Sequence, residues 1–274
     1  MGVSIPSGKT YNDCYKPGQF DETTDRDQDG VDDGCEFELA WAFRPQLRTM
    51  TNDCDLRRAP YFAVRQKTSN DWGGVIYIFY ALSYFYDCGV PFSCPTFIAQ
   101  CNPHAGDTEW IILEVGPSPV GSNGPWALKY GTLSAHWNTG NDQTAGYEAS
   151  DLEDADNSPG FGAPRIWVAE DKHANYRTQG GCDGSGWLNL DNCEHPRSTY
   201  DTLDFLAQHN LGRKAPGFRF IGDPGISPVY DRTNPYNPSP EYFWNQAGHF
   251  CGWNYYPASP CAETYYTSLD AYGF

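Results

Sequence analysis

Twelve residues between Asp25 and Glu36 carry the donor pattern of a cation-binding loop. Acids stand at loop positions 1, 3, 5, 9 and 12 (Asp25, Asp27, Asp29, Asp33 and Glu36), with Gly30 at position 6 and Val31 at position 7. Calcium takes about six to eight oxygens, and carboxylates at this spacing wrap around one ion. Gly30 permits the sharp turn, the Val31 carbonyl serves as a ligand, and Glu36 closes the site through both oxygens. Residues 21–36 hold eight acids and one base, Arg26, so the loop repels itself without a cation. A structural calcium is expected here.

A second constellation lies at His104, Asp107 and Glu109. On a strand, Asp107 and Glu109 share a face with Ile111, Leu113 and Val115. Two carboxylates at the mouth of an apolar face need a cation, a proton or solvent. His104, read as lying just upstream on a Pro-Gly turn, can fold back to add an imidazole. Mixed nitrogen and oxygen donors suit a divalent ion such as Ca, Mg, Mn or Zn, without choosing among them. His136 and His173 follow or end neighbouring strand candidates. Each is a candidate general base or ligand-orienting group, the alternative being a hydrogen-bonded surface histidine. Cys88, Cys94, Cys101 and His104 also have zinc-like spacing, but ten cysteines in one acidic chain favour disulfides. Cys182 with Cys193 and Cys251 with Cys261 are expected local pairs.

The segment His104-Ala-Gly-Asp107-Thr-Glu109 resembles the metal-binding heptapeptide Gly-His-Arg-His-Asp-Trp-Glu of the necrosis- and ethylene-inducing protein family. It is similar also to the His-x-Gly-Asp-x-Glu of a related vacuolar-sorting-like family. The resemblance gives His104, Asp107 and Glu109 the roles of the family's first His, its Asp and its Glu. It gives Asp87, which ends the aromatic run from Leu82, the role of the fourth ligand. Ala169 to Tyr176 resembles the family's later His-Gly-x-Tyr segment. The family's second His, Trp and leading Gly are Gly106, Thr108 and Pro103 here. The likeness runs loosely over residues 37–274 in element order and implies a sandwich fold with a metal that engages sugar heads. The 25–36 loop, in turn, resembles the solitary calcium loops of extracellular proteins rather than a paired EF-hand sensor.

The elements that must position these residues are mainly strands. Tyr61–Gln66, Val75–Asp87, Trp110–Val115, Trp126–His136 and Arg165–Glu170 are aromatic or β-branched runs, most of them bounded by turn residues. Glu36–Arg48 is expected to start as a helix, with Leu39, Phe43 and Leu47 at helical spacing and Pro45 limiting it. Thr202–Asn210 is expected to be a short helix. The chain after Gly217, rich in Pro and aromatics, reads as a wrapping segment. The expected fold is mainly β: a disulfide-stabilised β-sandwich with a few short helices and long Gly/Pro-rich loops. Residues 1–36 form an irregular segment with the calcium loop, and 37–274 the sandwich.

Composition narrows the function. With 18 Lys+Arg against 35 Asp+Glu, the net charge is −17. Phosphate binding needs surplus bases, so nucleic acid is not expected as a partner. Residues 1–14 lack an apolar leader core, and the chain is expected to begin after a removed leader, as a secreted, extracellular protein. The longest uncharged apolar run, Val75–Tyr86, is too short to span a bilayer. Five acids between Glu148 and Asp156 form a solvated loop or a second calcium site. Nucleophile elbows and phosphate loops are missing from the chain. Three readings remain. The first is a binding module for an extracellular glycan or polar lipid head. The second is a metal-dependent hydrolase, and the third a structural protein of the cell exterior that self-assembles.

Overall fold

The structure, a computed structural model, describes residues 2–16, 23–25, 29–54, 56, 58–67, 74–89, 104–118, 125–136, 142–154, 162–184, 191–205, 210, 213–214 and 220–221. Along the chain come helices α1 (Tyr11–Cys14) and α2 (Asp33–Ala42), then strands β1 (Gln46–Arg48), β2 (Arg58–Gln66), β3 (Ile76–Asp87), β4 (His104–Pro117), β5 (Trp126–Leu133) and β6 (Ala145–Glu148). The short strands β7 (Glu153–Asp154), β8 (Pro164–Val168) and β9 (Asn175–Tyr176) lead to helix α3 (Gln179–Cys182). Strands β10 (Asp201–Thr202), β11 (Arg213–Lys214) and β12 (Phe220–Ile221) follow.

Strands β2 to β6 form an antiparallel meander in chain order, and a second sheet runs β10-β1-β8-β7 with β9 paired to β8. Strand β1 is parallel to β8, with Leu47 opposite Ile166. A parallel pair needs a long crossover, and here the whole meander serves as that connection. Alternation sets the core. Ile78, Tyr80 and Leu82 of β3 and Ile111, Leu113 and Val115 of β4 meet Leu47, Ile166 and Val168 of the second sheet, with Leu39 and Phe43 from α2. Ile5, Cys14, Val31 and Cys35 of the N-terminal segment are buried in the same cluster. The opposite face of the meander, with Phe79, Ala81, Trp110 and Ile112, is buried as well. That explains why the β3 run is apolar throughout rather than alternating. Gly131 lies opposite Leu113 because a side chain there would strike Leu152.

Several expected elements move. Helix α2 starts at Asp33, before the expected Glu36, because the Asp32 side chain caps it by accepting from the Gly34 N–H. It stops at Ala42, since Pro45 restricts the residue before it, and Gln46–Arg48 is strand β1 instead of a helical turn. Asp201–Thr202 pairs with β1 as a strand, so the helix expected from Thr202 does not begin there. Residues 206–209 lie outside the described residues, as does most of the chain after Gly217. Strand β4 begins at His104, so that residue is on the strand and not on a preceding turn.

Disulfides join Cys14 to Cys35, Cys54 to Cys88, and the expected local pair Cys182 to Cys193. Pairing removes Cys88 from the zinc-like set. Cys94, Cys101, Cys251 and Cys261 lie outside the described residues. Disulfides belong to oxidising compartments. Among the described residues no helix is long and apolar enough to cross a membrane.

Candidate functional site

The acidic loop folds back on itself and onto β2. The Asp25 carboxylate accepts from the backbone N–H of Asp29 at 3.0 Å and of Gly30 at 3.1 Å, and Asp29 accepts from the Val31 N–H at 2.8 Å. Gly30 has φ +89°, as the sharp turn demands. Its carbonyl accepts from the Lys16 N–H, and the Asp32 N–H donates to Cys14, so a short ladder beside the Cys14–Cys35 disulfide holds the loop's flanks. The Gln66 N–H at the end of β2 donates to the Asp29 carbonyl at 3.0 Å. Asp25, Asp29 and Glu36 are all buried, Asp33 is half-buried, and Val31 is fully buried. Glu36, in the first turn of α2, accepts from the Asn210 amide. Asp27 lies outside the described residues. Three buried carboxylates within twelve residues make an all-oxygen donor set suited to a hard cation.

The second constellation sits where β3 ends and β4 begins. Cross-strand register sets Asp87 opposite His104, Tyr84 opposite Asp107 and Leu82 opposite Glu109. Asp87 is buried and accepts from the Gly89 N–H at 2.6 Å and from the Lys172 ammonium at 3.1 Å. Lys172 therefore supplies positive charge that the four-ligand reading assigns to a metal. It rides on the tight turn between β8 and β9, where Asp171 and His173 both adopt positive φ. The His173 ring stacks flat on Tyr84 with centroids 3.8 Å apart, and its Nε2 lies 3.4 Å from Asp53. Asp171 accepts from the Cys54 N–H at 2.9 Å, and its carbonyl accepts from the Cys88 N–H. The Cys54–Cys88 disulfide thus fastens this turn to the end of β3. Burial first, then neighbouring carboxylates, raise the Asp171 and Glu170 carboxyl groups above their ordinary range.

Beside this turn, buried Glu109 accepts from the Ser134 hydroxyl, which itself accepts from the Trp110 N–H at 2.7 Å. The Asn175 N–H donates to the Ser134 carbonyl, tying β9 to the end of β5. His136 also has positive φ, and its Nε2 lies 2.7 Å from Asp191, which accepts from the Tyr176 hydroxyl as well. Burial, followed by the charge of Asp191, pushes the Tyr176 phenol far above its ordinary range, with Glu109 adding to the effect. The phenol stays protonated and donates. An imidazole oriented by a carboxylate has the geometry of a general base.

Both candidate histidines stand at the strand end that carries Glu109, His136 through Asp191 and Tyr176, and His173 through Tyr84. Sequence reasoning missed Lys172, Asp191, Ser134, Asn175 and Asp53. Lys172 and Asn175 lie within the 169–176 segment already singled out, but nothing in the spacing marks the others. Comparison with protein-family models, curated proteins and solved structures returns no match for this chain.

Proposed function

We propose that this chain is a secreted, calcium-stabilised β-sandwich that binds a glycan or a polar lipid head at the β3–β4 strand end. The reading is supported by two buried carboxylates at this strand end, Asp87 in register with position 104 on one face of the sheet and Glu109, with position 107, on the other. A buried carboxylate is tolerated when a cation or hydrogen bonds offset its charge. An ion held there orients and polarises ligand hydroxyls. Asp87 shares its charge with Lys172, while Ser134 fixes the Glu109 carboxylate and the Cys54–Cys88 disulfide fixes the turn beside it. The 25–36 loop plays a separate part: with calcium bound, Asp25, Asp29, Asp33 and Glu36 anchor the N-terminal segment to β2.

Metal analysis of the purified protein tests this directly. One ion for each of the two sites is expected, and Asp107→Ala should lose the strand-end ion and glycan binding while barely shifting the melt. A single ion that survives Asp107→Ala sinks the strand-end site and leaves the calcium loop standing. A metal-free protein after equilibration with calcium, magnesium, manganese and zinc sinks both. The His136–Asp191 pair favours one further reading, a metal-dependent hydrolase with His136 as base. Turnover of an ester or glycan that disappears in His136→Gln would support it.

A further inference from the structure

Four of the chain's twelve arginines, Arg48, Arg58, Arg165 and Arg197, gather at one edge of the sandwich. Strand β2 is the edge of the meander and β10 the edge of the second sheet. An open cleft of about 530 Å³ separates them, lined by Arg58, Arg197, Tyr200, Asp201, Thr202 and Asp204 among others. That size is within the usual range of small-ligand sites. Arg48 and Arg165 lay their guanidinium groups over the Tyr200 ring, 4.4 and 4.1 Å from its centre, and hold it at the cleft wall.

Two arginines and two aspartates line this cleft, and their pairing is incomplete. Asp201 accepts from Thr49 at 3.0 Å and lies 3.6 Å from Arg58, and Arg165 lies 3.6 Å from Glu153. Arg48 and Arg197 have no carboxylate partner among the described residues. Of the two arginines that line the cleft, Arg197 has no carboxylate partner among the described residues and Arg58 meets Asp201 only at 3.6 Å, beyond hydrogen-bond length, so both keep donors for an external anion. Guanidinium forks match carboxylate and sulfate oxygens. Exposed Asp204 and Thr202 accept from hydroxyl groups, which a simple anion lacks and a sugar carries. We infer that this edge cleft binds an acidic saccharide, with Arg58 and Arg197 taking its carboxylate or sulfate groups and Thr202 and Asp204 its hydroxyls.

The site goes beyond the strand-end reading and needs no metal. Arg58 stands opposite Tyr84, which stands opposite Asp107, so the two sites adjoin across neighbouring strands. The test is calorimetric titration of the full chain with short galacturonate, sulfated dextran and neutral dextran oligomers, in calcium and in chelator. At least one acidic oligomer is expected to bind in both, more weakly as salt rises; which one binds tells carboxylate from sulfate. Arg197→Gln should weaken binding by about tenfold or more, the usual size of a lost charge-assisted hydrogen bond. Its melt should not change, because the side chain has no ion-pair partner to lose among the described residues. Arg58→Gln should weaken binding likewise, with a lower melt because it gives up the Asp201 ion pair; if it fails to fold, Arg197→Gln decides alone. Equal binding of neutral dextran, failure of both acidic oligomers, or parent-like binding by Arg197→Gln overturns the inference. Binding that chelator abolishes while both arginine variants retain it would move the saccharide to the metal site and overturn it too.

Discussion

Calcium should raise the melting temperature of this protein by an amount that the loop's class sets in advance. Weak extracellular loops bind calcium with dissociation constants of about 0.1–1 mM. At roughly 10 mM calcium, mass action then adds about 1.4–2.7 kcal/mol to the folded state. For a chain of this size each kcal/mol moves the midpoint by about 2–4 °C, so a rise of roughly 3–11 °C is expected. The structure explains why the ion would act on the whole fold. Asp29 and Glu36 are buried, the Asp29 carbonyl accepts from Gln66 on β2, and Val31 and Cys35 lie in the main core. Scanning calorimetry in calcium and in chelator reads the shift. Asp29→Ala removes a ligand, so its melt should no longer respond to calcium. A parent protein whose midpoint moves by less than about 1 °C refutes the reasoning. So does an Asp29→Ala protein that keeps the full shift, because the stabilising ion would then sit elsewhere.

Two further outcomes follow from local geometry. Gly30→Ala places a methyl group at φ +89° and 2.5 Å from the Gln66 side-chain oxygen, so it should cost at least about 1–2 kcal/mol of stability in denaturant titration; an unchanged midpoint would show that the loop is not packed on β2. Asp171→Asn should melt higher than the parent at pH 7. Burial raises the Asp171 pKa above 3.8, so the stability of its protonated form is present below that value and lost as pH rises through the folded one. Asn keeps the acceptor for the Cys54 N–H and tolerates positive φ, and the difference should close as the pH falls toward 3.8. A variant melting below the parent at pH 7 would mean that the Asp171 charge is stabilising.

What the sequence by itself determined is what local chemistry dictates. The acids of 25–36 lie within twelve residues of chain, so their spacing suffices to foretell a loop that turns at Gly30. Strand runs such as Tyr61–Gln66 declare themselves through aromatic and β-branched residues, and Cys182 needs only a short loop to reach Cys193. The expected helix over Glu36–Arg48 failed at its end because Leu47 fits a helical stripe and a strand equally well. Only the parallel pairing of Leu47 with Ile166 decides for the strand. The tertiary structure alone decided the polar contacts of the strand end. Lys172 reaches Asp87, His136 reaches Asp191, and Arg197 comes to face Arg58 across a cleft, each pair far apart along the chain. Hydrophobic alternation tells a strand which face to bury, but it does not say which strand lies beside it. Partners of buried charges are chosen only when the sheets close, where an unpaired charge costs far more than it does in the open chain.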